Sequence, residues 1–176
     1  LKGAISLKRF KNKTVLVTDA GSGIGKSTAL RLDKEGATLI IVDINERHLN
    51  ATKKLLSNKQ SSSMVLDISN LEGINRCFET VQEEHKKLDA LINVAGILRF
   101  DNSHEVKIED WNKILNVNLT GTFFMCTHAL PMLLETHGFI VNVSSTAALG
   151  SHAWTAAYSA SKGGISAFSK TLAVEY

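Results

Sequence analysis

The sequence predicts an α/β doubly wound parallel sheet. Compact β-rich runs alternate with longer helical stretches, the runs are apolar on both sides of their two-residue period, and a glycine-rich turn follows the first of them. With 176 residues and 44% hydrophobic content there is material for a real core, and no repeat or long linker divides the chain. One domain over residues 1–176 is therefore expected.

Thr-Val-Leu-Val-Thr at 14–18 is the first strand, and it runs into Asp-Ala-Gly-Ser-Gly-Ile-Gly before a helix over 26–35. A second strand over 38–42 ends in Asp43 and leads to a helix over 46–57. The serine cluster at 61–63 is a turn into a third strand, 63–66, followed by a helix over 71–86. The fourth strand, 90–93, precedes a long helix, 108–136, in which Asn116 and Asn118 are perturbing residues. A fifth strand covers 139–143. The last helix, 155–175, has few β-branched residues and no proline.

Composition excludes several classes of function. The formal charge of +3 is spread along the chain, and its densest basic stretch, Lys8 to Lys13, reads as a solvated leader to the first strand, not as a nucleic-acid footprint. Cys77 and Cys126 fall in predicted helices as buried apolar residues, which suits a reducing, cytoplasmic setting, and six histidines without ligand spacing predict no metal site. No apolar run is read as approaching the ~20 residues of a membrane span. The first residue is Leu1 and not methionine, which leaves a removed leader open.

Strand, glycine turn, helix is a phosphate-binding arrangement. Glycines without Cβ let a pyrophosphate approach the backbone, and the free amides at the helix start attract its charge. Gly21, Gly23 and Gly25 can serve this purpose. Asp43, twenty residues beyond Gly23, stands where dinucleotide folds place an acid for the adenosine ribose hydroxyls. An acid there repels a 2′-phosphate, and neither Ser22 nor Ile44 offers compensating positive charge, so NAD is expected over NADP. The plain alternatives are a sterically required glycine turn and an aspartate capping it.

Toward the end of the chain, Tyr158 and Lys162 stand four apart in Tyr-Ser-Ala-Ser-Lys, with Ser145 thirteen residues upstream. On a helix, an i, i+4 pair shares one face. A tyrosine ordinarily titrates near 10, and a nearby ammonium favours its phenolate, which makes it usable as an acid/base. Ser145, at the carboxyl end of the fifth predicted strand, can hydrogen-bond a substrate oxygen where charge develops. Ser144 points the opposite way by strand alternation, so the two cannot share that role. Taken alone, the pair is also compatible with an ordinary surface helix.

The generic Gly-x-Gly-x-x-Gly fails at Lys26. The segment instead resembles the Thr-Gly-x-x-x-Gly-x-Gly loop of the short-chain dehydrogenase/reductase family, with Thr18, Gly23 and Gly25 matching. Further landmarks occur in that family's order. Asp67 resembles its adenine-contacting acid, Asn93-Val94-Ala95-Gly96 its Asn-Asn-Ala-Gly, and Asn118 its helix asparagine, before Ser145, Tyr158 and Lys162 complete the set. The resemblance covers the chain from about Phe10 to Tyr176 and implies a Rossmann fold. It also implies an oxidoreductase transferring hydride between NAD and a secondary alcohol or ketone. Cofactor contacts are then expected at Thr18, Ser22, Gly23, Ile24 and Gly25 in the loop, at Asp43, Asp67 and Ile68, and at Asn93, Ala95 and Gly96. Tyr158 is implied as acid/base, Lys162 as its modulator and a holder of the nicotinamide ribose, and Asn118 as holder of a relay water. Leu98, Ala147, His152 and Trp154 are expected to line the substrate pocket.

Two departures matter. Asp19 stands where the family loop has its first glycine, and at ~6 Å and an effective dielectric of ~20 its repulsion of a pyrophosphate is at most about 3 kcal/mol. Weakened NAD affinity is the expectation. Relatives also continue past the position of Tyr176 into a further strand, a lid-like substrate loop and a last strand, so the C-terminal part of the family domain is expected to be absent. A helix ending without a glycine cap or trailing proline favours a fragment of a longer enzyme, a homodimer or homotetramer when full length. Asp19 and the missing end also admit a catalytically impaired nucleotide-binding or assembly module of the same fold. Asp33 has no functional reading.

Overall fold

Five parallel strands form one sheet in the computed structural model, which describes residues 8–150 and 152–176. They are β1 (Thr14–Thr18), β2 (Thr38–Asp43), β3 (Ser62–Val65), β4 (Ala90–Asn93) and β5 (Phe139–Asn142), in the order β3-β2-β1-β4-β5. The helices are α1 (Gly23–Lys34), α2 (Glu46–Lys53), α3 (Leu71–His85), α4 (Ile108–Leu115), α5 (Thr122–Thr136) and α6 (Ala156–Glu175). Strand alternation sorts the core onto the two faces. Val15, Val17, Leu39 and Ile41 pack with Ala29, Leu32 and Leu49 of α1 and α2. Leu16, Ile40, Val42 and Leu91 pack with Ile74, Phe78, Met125 and Ala129 of α3 and α5. The sheet is doubly wound, as the sequence predicts, because right-handed crossovers put helices on opposite faces once the strand order reverses.

The edge strands depart from the expected two-sided burial. Phe139 and Val141 of β5 and Val65 of β3 are about half exposed. A groove of about 530 Å³ runs along β5, walled by Leu133, Phe139, Ile140 and Leu172.

α4 and α5 are joined by a wide π-helical turn, Asn116–Gly121, so the long helix expected over 108–136 is continuous but locally unwound. Such turns arise where an extra residue is inserted into the helical ladder. Here the Thr122 hydroxyl donates to the Asn118 carbonyl at 2.7 Å, and Gly121 sits so close to Ile68 that a Cβ would lie 2.6 Å from its carbonyl oxygen. Contrary to the sequence expectation, this composite helix of 29 residues is long and apolar enough to cross a membrane by length and composition. No charged residue occurs between Lys113 and Glu135. Within the fold it is a core helix, with Met125, Cys126 and Ala129 fully buried against the sheet.

Two further expectations change and a third is refined. The basic stretch at 8–13 is largely exposed, as expected, and is anchored by ion pairs: Arg9 with Glu35 at 2.5 Å and Lys13 with Asp89 at 2.7 Å. In the serine cluster, Ser62 and Ser63 belong to β3, and the Ser61 hydroxyl accepts from the Leu39 amide at 2.9 Å. α2 ends at Lys53 instead of running to 57, because the buried Asp33 carboxylate captures the chain beyond it. That carboxylate accepts from the Ser57 amide at 2.9 Å, the Ser57 hydroxyl at 2.6 Å and the Asn58 amide at 3.0 Å.

Burial alone would raise the Asp33 carboxyl, but these donors outweigh it and hold the group below the ordinary carboxylate value. The folded-state pKa is depressed, so its stabilisation is present at neutral pH and is lost as pH falls through that folded value. Asp33→Ala should cost about 2 kcal/mol at pH 7, and the penalty should shrink below the ordinary carboxylate range, as read by urea denaturation at several pH values.

Candidate active site

The carboxyl ends of β1 and β4 are neighbours in the sheet, and the chain leaves them in opposite directions. The buried Thr18 hydroxyl holds this fork together by accepting from the amides of Val94 at 2.9 Å and Ala95 at 3.0 Å. A cleft of about 390 Å³ opens beside it. Asp19, Asp43, Asp67, Ile68, Ala95 and Gly96 are among its walls, with Lys113 and Asn116 closing one side.

The loop after β1 is built for close approach. Gly23 has φ +49° and opens α1, and a Cβ on Gly25 would collide with the Asp19 carbonyl oxygen at 2.1 Å. Ser22 is the N-cap residue of α1, yet no side chain caps the helix, which leaves the amide end of α1 free for an anion. Ile24 is exposed beside it. Asp43 accepts from the Gly21 amide at 2.8 Å and the Asn45 amide at 2.7 Å. A Cβ on Gly21 would strike that carboxylate at 2.7 Å, so glycine is required for the contact. These features fit a dinucleotide, with one exception: Asp19 takes the left-handed geometry of the missing glycine, φ +54°, and its side chain lines the cleft. Its carboxyl is pushed up to about 6, by burial first and then by the charge and hydrogen bonding of Asp43.

Asn118, fully buried in the π-helical turn, clamps the segment after β4. Its Oδ1 accepts from the Ile97 amide at 2.7 Å and its Nδ2 donates to the Ile97 carbonyl at 2.9 Å and to Ser161 Oγ at 3.0 Å. Asn93 donates to Asn142 at 2.9 Å, joining β4 to β5.

At the end of β5 the two serines part. Ser144 donates to the Lys162 carbonyl at 2.9 Å and shares a hydrogen bond with Ser166 at 2.7 Å, pinning α6 to the sheet. Ser145 accepts from the Ala147 amide at 3.1 Å, which leaves its own proton free to donate. Lys162, 3% exposed, donates to the Val143 carbonyl at 2.7 Å, and its ammonium lies 5.8 Å from the Tyr158 ring centre. A Cβ on Gly96 would lie 3.4 Å from Lys162 Nζ, so the cleft leads directly to the lysine. Burial holds the Lys162 ammonium below its ordinary value. The expected pocket residues spread around this end: Ala147 is buried, while Leu98, His152 and Trp154 are exposed, and the Asp101 amide donates to the Trp154 carbonyl at 2.9 Å across the opening.

A family model described as short chain dehydrogenase matches residues 13–176. The chain belongs to that family. It is 36% identical over 99% of its length to a 3beta-hydroxysteroid dehydrogenase of Mediterraneibacter gnavus, of which it covers 64%. A meso-2,3-butanediol dehydrogenase of Serratia marcescens is 32% identical over 96% of the chain, which covers 67% of that protein. Among solved structures, levodione reductase superposes with a TM-score of 0.90 at 28% identity, with 96% of this chain and 67% of that one covered. Carveol dehydrogenase from Mycobacterium avium, solved in complex with NAD, gives 0.88 at 25% identity, covering 95% and 66%. The chain thus spans about two thirds of the length of these family members.

Sequence reasoning named Thr18 and Asn118 but missed part of what holds the site in place. Ser161 and Ser144 carry no motif signal of their own, and the side-chain grip of Asn118 on Ile97 is visible only once 21 residues of separation have been closed by folding. Thr18→Val keeps the shape of the β1/β4 fork but orphans two buried amides. It should cost about 2–3 kcal/mol and weaken dinucleotide binding, whereas Thr18→Ser should be nearly neutral, as measured by thermal unfolding and ligand titration.

Proposed function

We propose that this chain carries the cofactor-binding and acid/base part of an oxidoreductase that transfers hydride between NAD and a secondary alcohol or ketone. The observation that carries the reading is Lys162, an ammonium buried with a carbonyl partner and no carboxylate among the described residues, held beside Tyr158 and next to Gly96 of the cleft. Burying such a charge is costly, and it is retained where a reaction uses it.

Nicotinamide supplies the hydride chemistry when bound. Tyr158 is the acid/base: its phenolate takes the alcohol proton in oxidation, and its phenol returns a proton to the forming alkoxide in reduction. Ser145 donates its free proton to the substrate oxygen as charge develops there. Lys162 sets its ammonium beside the Tyr158 ring and would hold the nicotinamide ribose hydroxyls. Asn118, whose side chain grips Ile97 and Ser161, lies with Lys162 against Gly96 and would hold a water linking that lysine to solvent as a proton relay.

On the adenosine side, Asp43 takes the ribose hydroxyls with the oxygen capacity left beside the Gly21 and Asn45 amides, which favours NAD over NADP. Thr18, Ser22, Gly23, Ile24 and Gly25 form the pyrophosphate cradle. Asp67, Ile68, Asn93, Ala95 and Gly96 form the adenine side and floor. The relatives named for a 3beta-hydroxysteroid and for meso-2,3-butanediol support an alcohol as the substrate class. The two free cysteines, both buried and with thiols pushed up to about 12 (Cys77) and about 11 (Cys126) by burial, support a cytoplasmic setting. A homodimer or homotetramer belongs to the same reading.

The second reading is a nucleotide-binding or assembly module with impaired turnover, favoured by the Asp19 side chain in the cleft. Turnover separates the two. Tyr158→Phe in the full-length protein should lower kcat by about 10²- to 10⁴-fold on secondary alcohols with NAD affinity unchanged. A variant that keeps full kcat removes the acid/base assignment. Asp43→Ser should lose the preference for NAD over NADP, read as the ratio of the two dissociation constants, and a preference that persists places the discrimination elsewhere.

A further inference from the structure

The cleft holds more carboxylate than hydride transfer needs. Asp19 enters it from the turn after β1, Asp43 from the end of β2 and Asp67 from the segment after β3. Asp43 is engaged by the Gly21 and Asn45 amides, and Asp67 by the amide and hydroxyl of Ser69. Asp19 differs. No amide, hydroxyl or cation among the described residues donates to its carboxyl, and it shares the wall of the cleft with Asp43, whose carboxyl acts on it. The other charged or titratable groups around the pair are Asp67, Lys113 on α4 and, beside Gly21 on α2, His48.

Two ionised carboxyls on one cleft wall repel one another, and both repel a diphosphate. A single shared proton removes the first repulsion and half of the second. Resting on the reading of this cleft as an NAD site, we propose that Asp19 sets cofactor affinity through its protonation: the cleft takes a dinucleotide tightly with Asp19 neutral and its proton donated to Asp43, and holds it less tightly when both carboxyls are ionised. In the free protein the Asp19 carboxyl sits at about 6, raised by burial and then by Asp43. The negative diphosphate raises it further on binding. Affinity is therefore fully present below the free-state value and falls as pH rises through it, and between the free and bound values each binding event takes up a proton.

The test is calorimetric titration of NAD into the full-length protein at pH 5.5, 6.5 and 7.5, in two buffers of different ionisation heat, for the wild type, Asp19→Asn and Asp19→Gly. The wild type should weaken about tenfold from pH 5.5 to 7.5 with uptake of up to one proton, while Asp19→Asn stays flat and as tight as the wild type at pH 5.5. A flat wild-type profile, or the same slope in Asp19→Asn, overturns the proposal and leaves the NAD site standing. Binding by Asp19→Gly alone overturns it in favour of simple obstruction. Absence of NAD binding in all three proteins at every pH overturns the cofactor reading itself, and the proton linkage with it.

Discussion

The reversal of winding between β1 and β4 is the constraint on which the rest of the structure depends. From β1 the chain steps outward to β2 and β3 with α1 and α2 on one face, and from β3 it must return past β1 with α3 on the other. Right-handed crossovers allow no other arrangement of this strand order. The loops at the carboxyl ends of β1 and β4 therefore diverge, and an opening is left that no connection covers. Thr18 spans it with one hydroxyl and two amides, and Asn118 anchors the far wall through Ile97. Both residues are fully buried, so the opening has rigid sides.

Legibility in the sequence depends on the range of the interaction. The glycine turn, the strands and the helix carrying Tyr158 and Lys162 are encoded within a few residues, and each falls close to where its pattern predicts. Ser144 and Ser145 engage different partners just beyond β5, and the extended backbone that separates them there is local geometry. Asp33 was opaque because its partners lie 24 and 25 residues away, and a buried carboxylate looks like an error in an apolar helix face until those amides arrive. The same contact explains the early end of α2, where helical propensity continues to 57 but tertiary hydrogen bonds withdraw the chain. The half-exposed faces of β5 could not be read from its composition, since an apolar run looks the same at an edge as in the centre of a sheet.

The composite helix Ile108–Thr136 shows how one element serves both fold and site. Its apolar length gives the core Met125, Cys126 and Ala129, while the π-helical turn widens the backbone at the point where it passes Ile68 and Ile97. A regular helix would present a different residue to Ile97, because each inserted residue rotates the succeeding turns by about 100°. The local unwinding is therefore the feature that brings the Asn118 amide to Ile97, and the Thr122 hydroxyl satisfies the carbonyl loosened by it.

Charge is distributed along the cleft in one direction. Asp19, Asp43 and Asp67 gather at one end, with Lys113 at its side, and Lys162 stands at the other, next to Gly96. An asymmetric ligand with donor hydroxyls at one end and acceptor oxygens at the other is oriented by such a gradient before any shape is tested. The carboxylates are tolerated because backbone amides of Gly21 and Asn45 and the Ser69 donors stabilise two of the three. Lys162 lacks that help: its described protein partner is a neutral carbonyl, and burial pulls its ammonium below the ordinary value. A buried cation without an anion gains most from whatever hydrogen-bond acceptors a ligand brings. The costly burial of this ammonium is in this way one that a ligand with acceptor oxygens at the Lys162 end would relieve.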